Sequence, residues 1–216
     1  MPTRWLRRIN GFTTGKKKAR YDAILDAAER VFSEKGYERT SMDDIARTAS
    51  LSRALLYVYF KDKAAIQRDI MLRAGQSLSE RFRVARQTAD TGLAQIRAMG
   101  ESYYRFYLDE PDYFSALTKA STAMAEADET QAMEMLCSKS ELMKLMTEAI
   151  ELGLEDGTMN RSRIHSPEQT ALYLRGALHG TILLCQSEIS ESGGGFPAES
   201  LIRHTMDMLT SSLAAS

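Results

Sequence analysis

Apolar residues recur at helical spacing along almost the whole chain, and this regularity constrains the fold more than any other feature. Ile24, Ala27, Ala28, Val31 and Phe32 share one face of a helix from about Lys18 to Lys35. Gly36 follows, where a glycine just past the last turn can stop it. Thr40 or Ser41 caps a short helix whose inner face is Met42, Ile45, Ala46 and Ala49, and Ser52 caps a third with Leu55 and Leu56. Asp62 begins a long helix through Ile66, Ile70 and Leu78. Thr91 caps another that runs to about Leu108, and Glu110-Pro111 starts the next. A longer one spans about Asp128 to Leu154 and ends at the turn Glu155-Asp156-Gly157. Ser166-Pro167-Glu168 is a strong start signal for a helix to about Glu188. After the loop Ser192-Gly193-Gly194-Gly195, a last helix carries Leu201, Ile202, Thr205, Met206, Leu209 and Leu213. No segment alternates as a strand does and none repeats. The expected architecture is all-α, with about nine helices.

Charge is divided unevenly. Residues 1–68 hold 15 Lys and Arg against 8 Asp and Glu, a net +7. The chain totals of 28 and 29 leave 13 and 21 for the remainder, a net −8. A basic head on an acidic body points to a polyanionic partner for the head.

Other classes are disfavoured. No stretch reaches the length of a membrane span, so no membrane partner is expected. Met1 to Arg20 has seven basic residues and no acid, but lacks the apolar run of an export signal. It reads as a flexible basic arm over residues 1–17. Cys137 and Cys185 each sit among apolar residues and read as free buried thiols of a cytoplasmic protein. His165, His179 and His204 are isolated from one another, so no metal site and no cofactor is expected.

Residues 40–63 carry the functional constellation. Two helices of about eight and seven residues flank a tight turn near Ser50, the proportions of a helix-turn-helix. The first braces against the phosphate backbone, and the second presents its N-terminal side chains to the major groove, which admits a helix. Ala46, Leu51 and Leu56 lock the pair, leaving Ser52, Arg53 and Ala54 facing outward.

This region resembles the DNA-binding domain of the TetR family of transcriptional repressors. The resemblance rests on Phe32-Ser33-Glu34-Lys35-Gly36-Tyr37, Thr40-Ser41, Asp44-Ile45-Ala46 and Leu56-Tyr57-Val58-Tyr59-Phe60-Lys61-Asp62-Lys63, in the family's order over about residues 20–66. One position departs from the pattern: the turn is usually glycine, and here it is Ser50. A serine in left-handed conformation costs about 1 kcal/mol. The resemblance implies phosphate contacts from Thr40, Ser41, Tyr57 and Lys63, and base contacts from Ser52, Arg53 and Ala54. The chemistry agrees: hydroxyl and ammonium groups bond phosphate oxygens, and a guanidinium grips guanine with two parallel bonds. Tyr59, beside Phe60, is expected in the core. Lys16, Lys17 and Lys18 either follow DNA or belong to a solvated tail.

The expected domains are the arm, a DNA-binding domain over residues 18–66, and a ligand-binding and dimerisation domain over residues 67–216. The body has no phosphate loop or nucleotide fingerprint, and no catalytic residue is expected in it. It is rich in aromatics and methionines. For any single residue, plain core packing is the blander reading. Collectively, the resemblance implies a ligand cavity involving Tyr103, Tyr104, Tyr107, Phe114, Met124, Met143 and Met146, since flexible Met suits an adaptable pocket. Arg175 and His179 share a helix face and could meet a polar or acidic ligand group. The helix over residues 168–188 is apolar almost all round. The family's four-helix dimer bundle implies that Leu174, Leu178, Ile182, Leu201 and Leu209 lie at a homodimer interface.

The reading that follows is a homodimeric repressor on a palindromic double-stranded DNA operator, released by a small, largely apolar inducer that tilts the helix over residues 62–85. Alternatives are an activator, a regulator that senses a protein partner, or, more distantly, a small all-α enzyme. The last would show turnover and no salt-dependent DNA affinity.

Overall fold

The computed structural model describes residues 15–118, 129–186 and 197–215, with the side chains of residues 129–138 left aside. Among the described residues the chain is all-α, with nine helices: α1 Gly15–Lys35, α2 Met42–Thr48, α3 Arg53–Tyr59, α4 Lys63–Gln87, α5 Gly92–Asp109, α6 Pro111–Thr118, α7 Glu129–Glu155, α8 Pro167–Leu184 and α9 Ala198–Leu213. A single backbone bridge pairs Met159 with Ala214.

Local chemistry accounts for the ends of these helices. Gly36 stands at φ 80° and its N–H donates to the Phe32 carbonyl at 2.9 Å, closing α1. Ser41 caps α2 in a reciprocal box: its hydroxyl oxygen accepts from the Asp44 N–H while the Asp44 carboxylate accepts from the Ser41 N–H. A hydrogen bond from Lys35, then those from Ser41, hold the Asp44 carboxyl well below the usual carboxylate range. Ser52 caps α3 through the Leu55 N–H, and Ser166 caps α8 through the Gln169 N–H. Ser50, in the turn between α2 and α3, stands at φ 55°. It is the one non-glycine among the described residues in left-handed conformation.

The chain forms two compact units. In the first, residues 15–75 and 110–118 surround a core of Ile24, Leu25, Ala28, Ile45, Leu56, Phe60, Ile66, Ile70 and Met71. Tyr21 stacks on Phe60, with ring centres 5.1 Å apart, and Tyr59 packs against the same core. Arg73 on α4 pairs with Asp22, Asp26 and Glu29 of α1, at 3.3, 2.6 and 3.1 Å.

In the second unit, residues 76–109, 138–186 and 197–215, α9 packs against both α5 and α8. The start of α5 touches α7 backbone to backbone. A Cβ on Gly92 would lie 2.1 Å from the Gly153 nitrogen, so only glycine fits there. The Gly92 N–H donates to the Asp156 carboxylate at 2.8 Å.

The structure corrects two expectations of the sequence. The first helix begins at Gly15, so Lys16, Lys17 and Lys18 lie exposed on its first turn and not in a flexible arm. Leu174, Leu178 and Ile182, expected between subunits, are buried within one chain. Both Leu201 and Leu209 are half-buried. The reason is periodicity: a helix apolar all round has two faces to satisfy, and the stripe at Leu174, Leu178 and Ile182 faces inward. The outward stripe is Leu172 (60% exposed), Tyr173 and Leu184, with Met208 outward on α9. Cys185 is a free buried thiol, its pKa pushed up by burial. The side chain of Cys137, residues 1–14 and the loop at 192–195 lie outside the described residues.

Candidate nucleic-acid interface and ligand cavity

The short α3 is anchored by Leu56, fully buried, and by Leu51, which packs against the same core. The Leu51 N–H donates to the Ala46 carbonyl at 2.9 Å, which fixes the turn. With that side committed, Ser52, Arg53 and Ala54 are exposed, as is Tyr57 at 42%. The Arg53 guanidinium lies over the Tyr57 ring at 5.6 Å and pairs with the Asp43 carboxylate of α2 at 3.0 Å. A planar donor fork, a phenol and two small residues thus stand at the free end of one helix.

The expected phosphate contacts fare unequally. Ser41 is exposed, although its hydroxyl already donates to the Asp44 carboxylate at 2.7 Å. Ser52, expected at a base edge, spends its oxygen on the α3 cap. Thr40 is a correction: it is buried, and its hydroxyl donates to the Gly36 carbonyl at 2.8 Å. It satisfies a carbonyl left over at the end of α1. Lys63 is a second correction. Its ammonium donates to the carbonyls of Tyr37, Thr40 and Glu38 at 2.6, 2.9 and 3.4 Å, and lies over the Tyr37 ring at 4.3 Å. All three of its donors fasten the loop after α1 to the start of α4.

A cavity of about 60 Å³ lies within the second unit. Its walls include Leu78 and Phe82 of α4, Ile96, Met99, Gly100 and Tyr103 of α5, Met146 of α7, Leu174, Arg175 and Leu178 of α8, and Met206 and Leu209 of α9. Tyr103 and His179 are joined, the phenol oxygen 2.7 Å from Nδ1. Burial pushes the Tyr103 pKa up to about 12. Burial, and then the Arg175 charge, lower that of His179.

Of the expected ligand residues, Tyr103, Met146 and Arg175 line this cavity, and His179 reaches it through Tyr103. The others do not. Ile96, Met99, Gly100 and Tyr103 form one helical face; Tyr104 is rotated off it, and Tyr107 lies one turn beyond Tyr103, past the cavity. Those two stack on each other at 6.3 Å, with the Arg203 guanidinium over Tyr104. Phe114 is buried in the first unit, and Met143 is not part of the wall. Met124 lies outside the described residues. Leu174, Leu178 and Leu209, expected at the dimer surface, are cavity wall.

Some relevant residues escaped sequence reasoning. Asp43 has no motif that marks it as the tether of Arg53. Gly100 carries no sequence signal that sets it apart from any other helical glycine. The outward stripe at Leu172 and Tyr173 needed only the choice of one face of α8 over the other. No group of three His, Cys, Asp or Glu suited to a metal is found among the described residues, and none of their helices is long and apolar enough to cross a membrane.

Comparison with known proteins agrees with the geometry. Residues 24–70 match the family described as bacterial regulatory proteins, tetR family. An uncharacterised HTH-type transcriptional regulator of Haemophilus influenzae is 27% identical over 118 residues, covering 54% of this chain and 57% of that protein. The HTH-type transcriptional activator FasR of Mycolicibacterium smegmatis is 24% identical over 174 residues, covering 74% and 78%. The Staphylococcus aureus biofilm operon negative regulator IcaR is 47% identical over 45 residues, covering 21% and 24%. The chain therefore spans between a quarter and four-fifths of these relatives. The structure of AibR in complex with isovaleryl coenzyme A and operator DNA superimposes with a TM-score of 0.66 at 21% identity, covering 88% of this chain and 98% of that one.

Proposed function

We propose, from the match of residues 24–70 to the TetR family of helix-turn-helix transcriptional regulators, that the chain is a homodimeric repressor of a palindromic operator, released by a small apolar ligand. Residues 18–66 form the reading head and residues 67–216 the sensing and dimerising body. The protein acts in the cytoplasm, where its DNA partner is, by binding and not by turnover.

The observation that carries this reading is the free end of α3. Arg53 and Tyr57 are exposed beside Ser52 and Ala54, while Leu56 on the opposite face is buried. A helix anchored from behind, with a guanidinium at its N-terminal end, suits a major groove. Lys16, Lys17 and Lys18 at the start of α1 add cations for phosphates, and Ser41 adds a hydroxyl. The outward apolar stripe of Leu172, Tyr173, Leu184 and Met208 supports self-association through α8 and α9. Two reading helices about 34 Å apart would then meet successive major grooves.

Release requires the ligand to favour the conformation that does not fit the operator; equal affinity for both shifts nothing. The cavity supports a sensing role, because Leu78 and Phe82 in its wall belong to α4, the same helix whose first turns carry Ala65 and Ile66 of the head core.

Selection of bound fragments from a genomic library, followed by anisotropy titration of the recovered duplex, tests the reading. Arg53→Ala is expected to abolish preference for that duplex over a scrambled one while ligand binding persists. Loss of both, or no duplex preference in the parent protein, sinks the proposal. Activation is the second reading, favoured by the similarity to FasR. A reporter assay with the gene deleted separates the two: expression rises for a repressor and falls for an activator.

A further inference from the structure

We infer that the cavity takes a molecule with an apolar tail and a single anionic head, a carboxylate in the simplest case, received by Arg175. This deepens the sensing role proposed above and rests on it.

The wall is apolar except at a few groups, and most of those are already engaged. The guanidinium of Arg97 pairs with Asp207 at 3.0 Å. The Thr210 hydroxyl donates to the Met206 carbonyl at 2.7 Å. Tyr103 and His179 hold each other. Arg175 is different. It makes no hydrogen bond and no ion pair with any described residue, although its charge is felt by both Tyr103 and His179. No carboxylate is found among the described residues of the wall.

A permanent positive charge at the rim of an apolar pocket selects ligands by sign. A guanidinium binds carboxylate through two parallel charge-assisted bonds. An ammonium head would meet repulsion with no acid to offset it. Arg175 is exposed, so the head lies at the rim and the tail points inward. That orientation follows from the wall, which has nothing to offer a charge deeper in.

The space of about 60 Å³ is worth roughly two waters. A tail of several methylenes must therefore enlarge it. Met99, Met146 and Met206 in the wall can do so by changing rotamer, because Met is unbranched and has three rotatable bonds. Gly100 leaves further room: a Cβ there would meet nothing closer than the Met206 sulfur at 3.8 Å.

The test is calorimetric titration of the full chain near neutral pH with three probes of one tail length: octanoate, octanol and octylammonium. Octanoate is expected to bind at least about tenfold more tightly than octanol, with octylammonium weakest. Arg175→Gln is expected to bring octanoate down to the octanol level, and Arg175→Lys to keep part of the preference. Octanol binding to the same variants shows that the pocket is intact. The proposal is overturned if octanoate and octanol bind alike, if octylammonium is preferred, if none of the three binds, or if Arg175→Gln leaves the preference unchanged. Duplex binding measured on the same samples at low salt keeps the two readings apart. A chain that prefers octanoate and ignores DNA loses the repressor reading only; one that binds DNA and shows no carboxylate preference loses this one only.

Discussion

The Arg53 guanidinium sits 3.0 Å from the Asp43 carboxylate, so the basic side chain that opens α3 is tethered before any nucleic acid arrives. Reaching a base edge breaks this exposed pair, and Asp43 also places a negative charge near the phosphates. Asp43→Asn is expected to raise duplex affinity by up to about fivefold, the range of an exposed ion pair. Anisotropy titrations at several salt concentrations check this. A fall in affinity would mean instead that Asp43 positions Arg53 for reading.

The turn before α3 makes a second case. Ser50 holds φ 55°, a region that disfavours any side chain and branched ones most. Ser50→Gly removes a strain of about 1 kcal/mol but gives back part of it through a freer unfolded chain, for a net gain of a few tenths. Ser50→Val is expected to cost about 1–2 kcal/mol. Denaturant midpoints measured for the two variants should move in opposite directions.

Two glycines of α5 should respond oppositely to alanine. At Gly92 the added carbon would meet the Gly153 backbone at 2.1 Å, and backbone cannot give way as a side chain can. Overpacking of this kind costs about 3 kcal/mol or more. At Gly100 the nearest atoms stand at ordinary contact distance, so alanine there gains helix propensity of about 0.8 kcal/mol. Gly100→Ala should therefore raise the Tm, and should weaken octanoate binding by filling part of the cavity.

The half-buried pair of Tyr103 and His179 sets a pH dependence. The His179 pKa is lowered by burial and then by Arg175, so the unfolded chain takes up its proton first as pH falls. Stability from this group is complete above about pH 6.5 and is lost progressively below it. Glu29 works the other way: burial raises its pKa, so the folded chain binds that proton more readily, and stability is gained as pH falls through the upper carboxylate range. Unfolding curves between about pH 7.5 and pH 5.5 should show a decline that His179→Gln removes. An unchanged slope in the variant would assign the decline elsewhere.

The outer face of α8 yields the last expectation. Leu172→Glu and Tyr173→Glu should convert a dimer into folded monomers, because both side chains are more than half exposed in one chain. Leu178→Glu should unfold the protein, because its side chain is interior. Sedimentation velocity combined with circular dichroism separates the two outcomes.

Much of this was written plainly in the sequence. Ser52 and Ser166 announced their caps, and the next one was narrowed to Thr40 or Ser41, because a side-chain oxygen before an apolar run has one local use. The structure settles the choice on Ser41, whose cap Asp44 closes into a reciprocal box. Gly36 and Gly157 marked turns with left-handed backbone, and the structure places them at φ 80° and 77°. Local signals of this kind need no knowledge of what lies opposite. The errors came where tertiary neighbours decide. Thr40 and Lys63 both carry polar groups suited to phosphate, yet carbonyls of the loop that follows α1 claimed them first. Tyr104 differs from Tyr103 by one position and about 100° of helix rotation, enough to remove it from the cavity. For α8 the composition said that both faces are apolar, but not which one the chain keeps for itself.

The backbone bridge between Met159 and Ala214, with the Ala215 N–H donating to the Thr158 carbonyl, fastens the last residues to the turn that follows α7. Those residues follow directly from α9, which supplies Met206 and Leu209 to the cavity. Loosening that wall releases the bridge, and a filled cavity braces it. Exchange of the Ala215 amide hydrogen thus becomes a clock for occupancy: its rate measures how often the pocket stands ajar, with no need for DNA or a labelled compound.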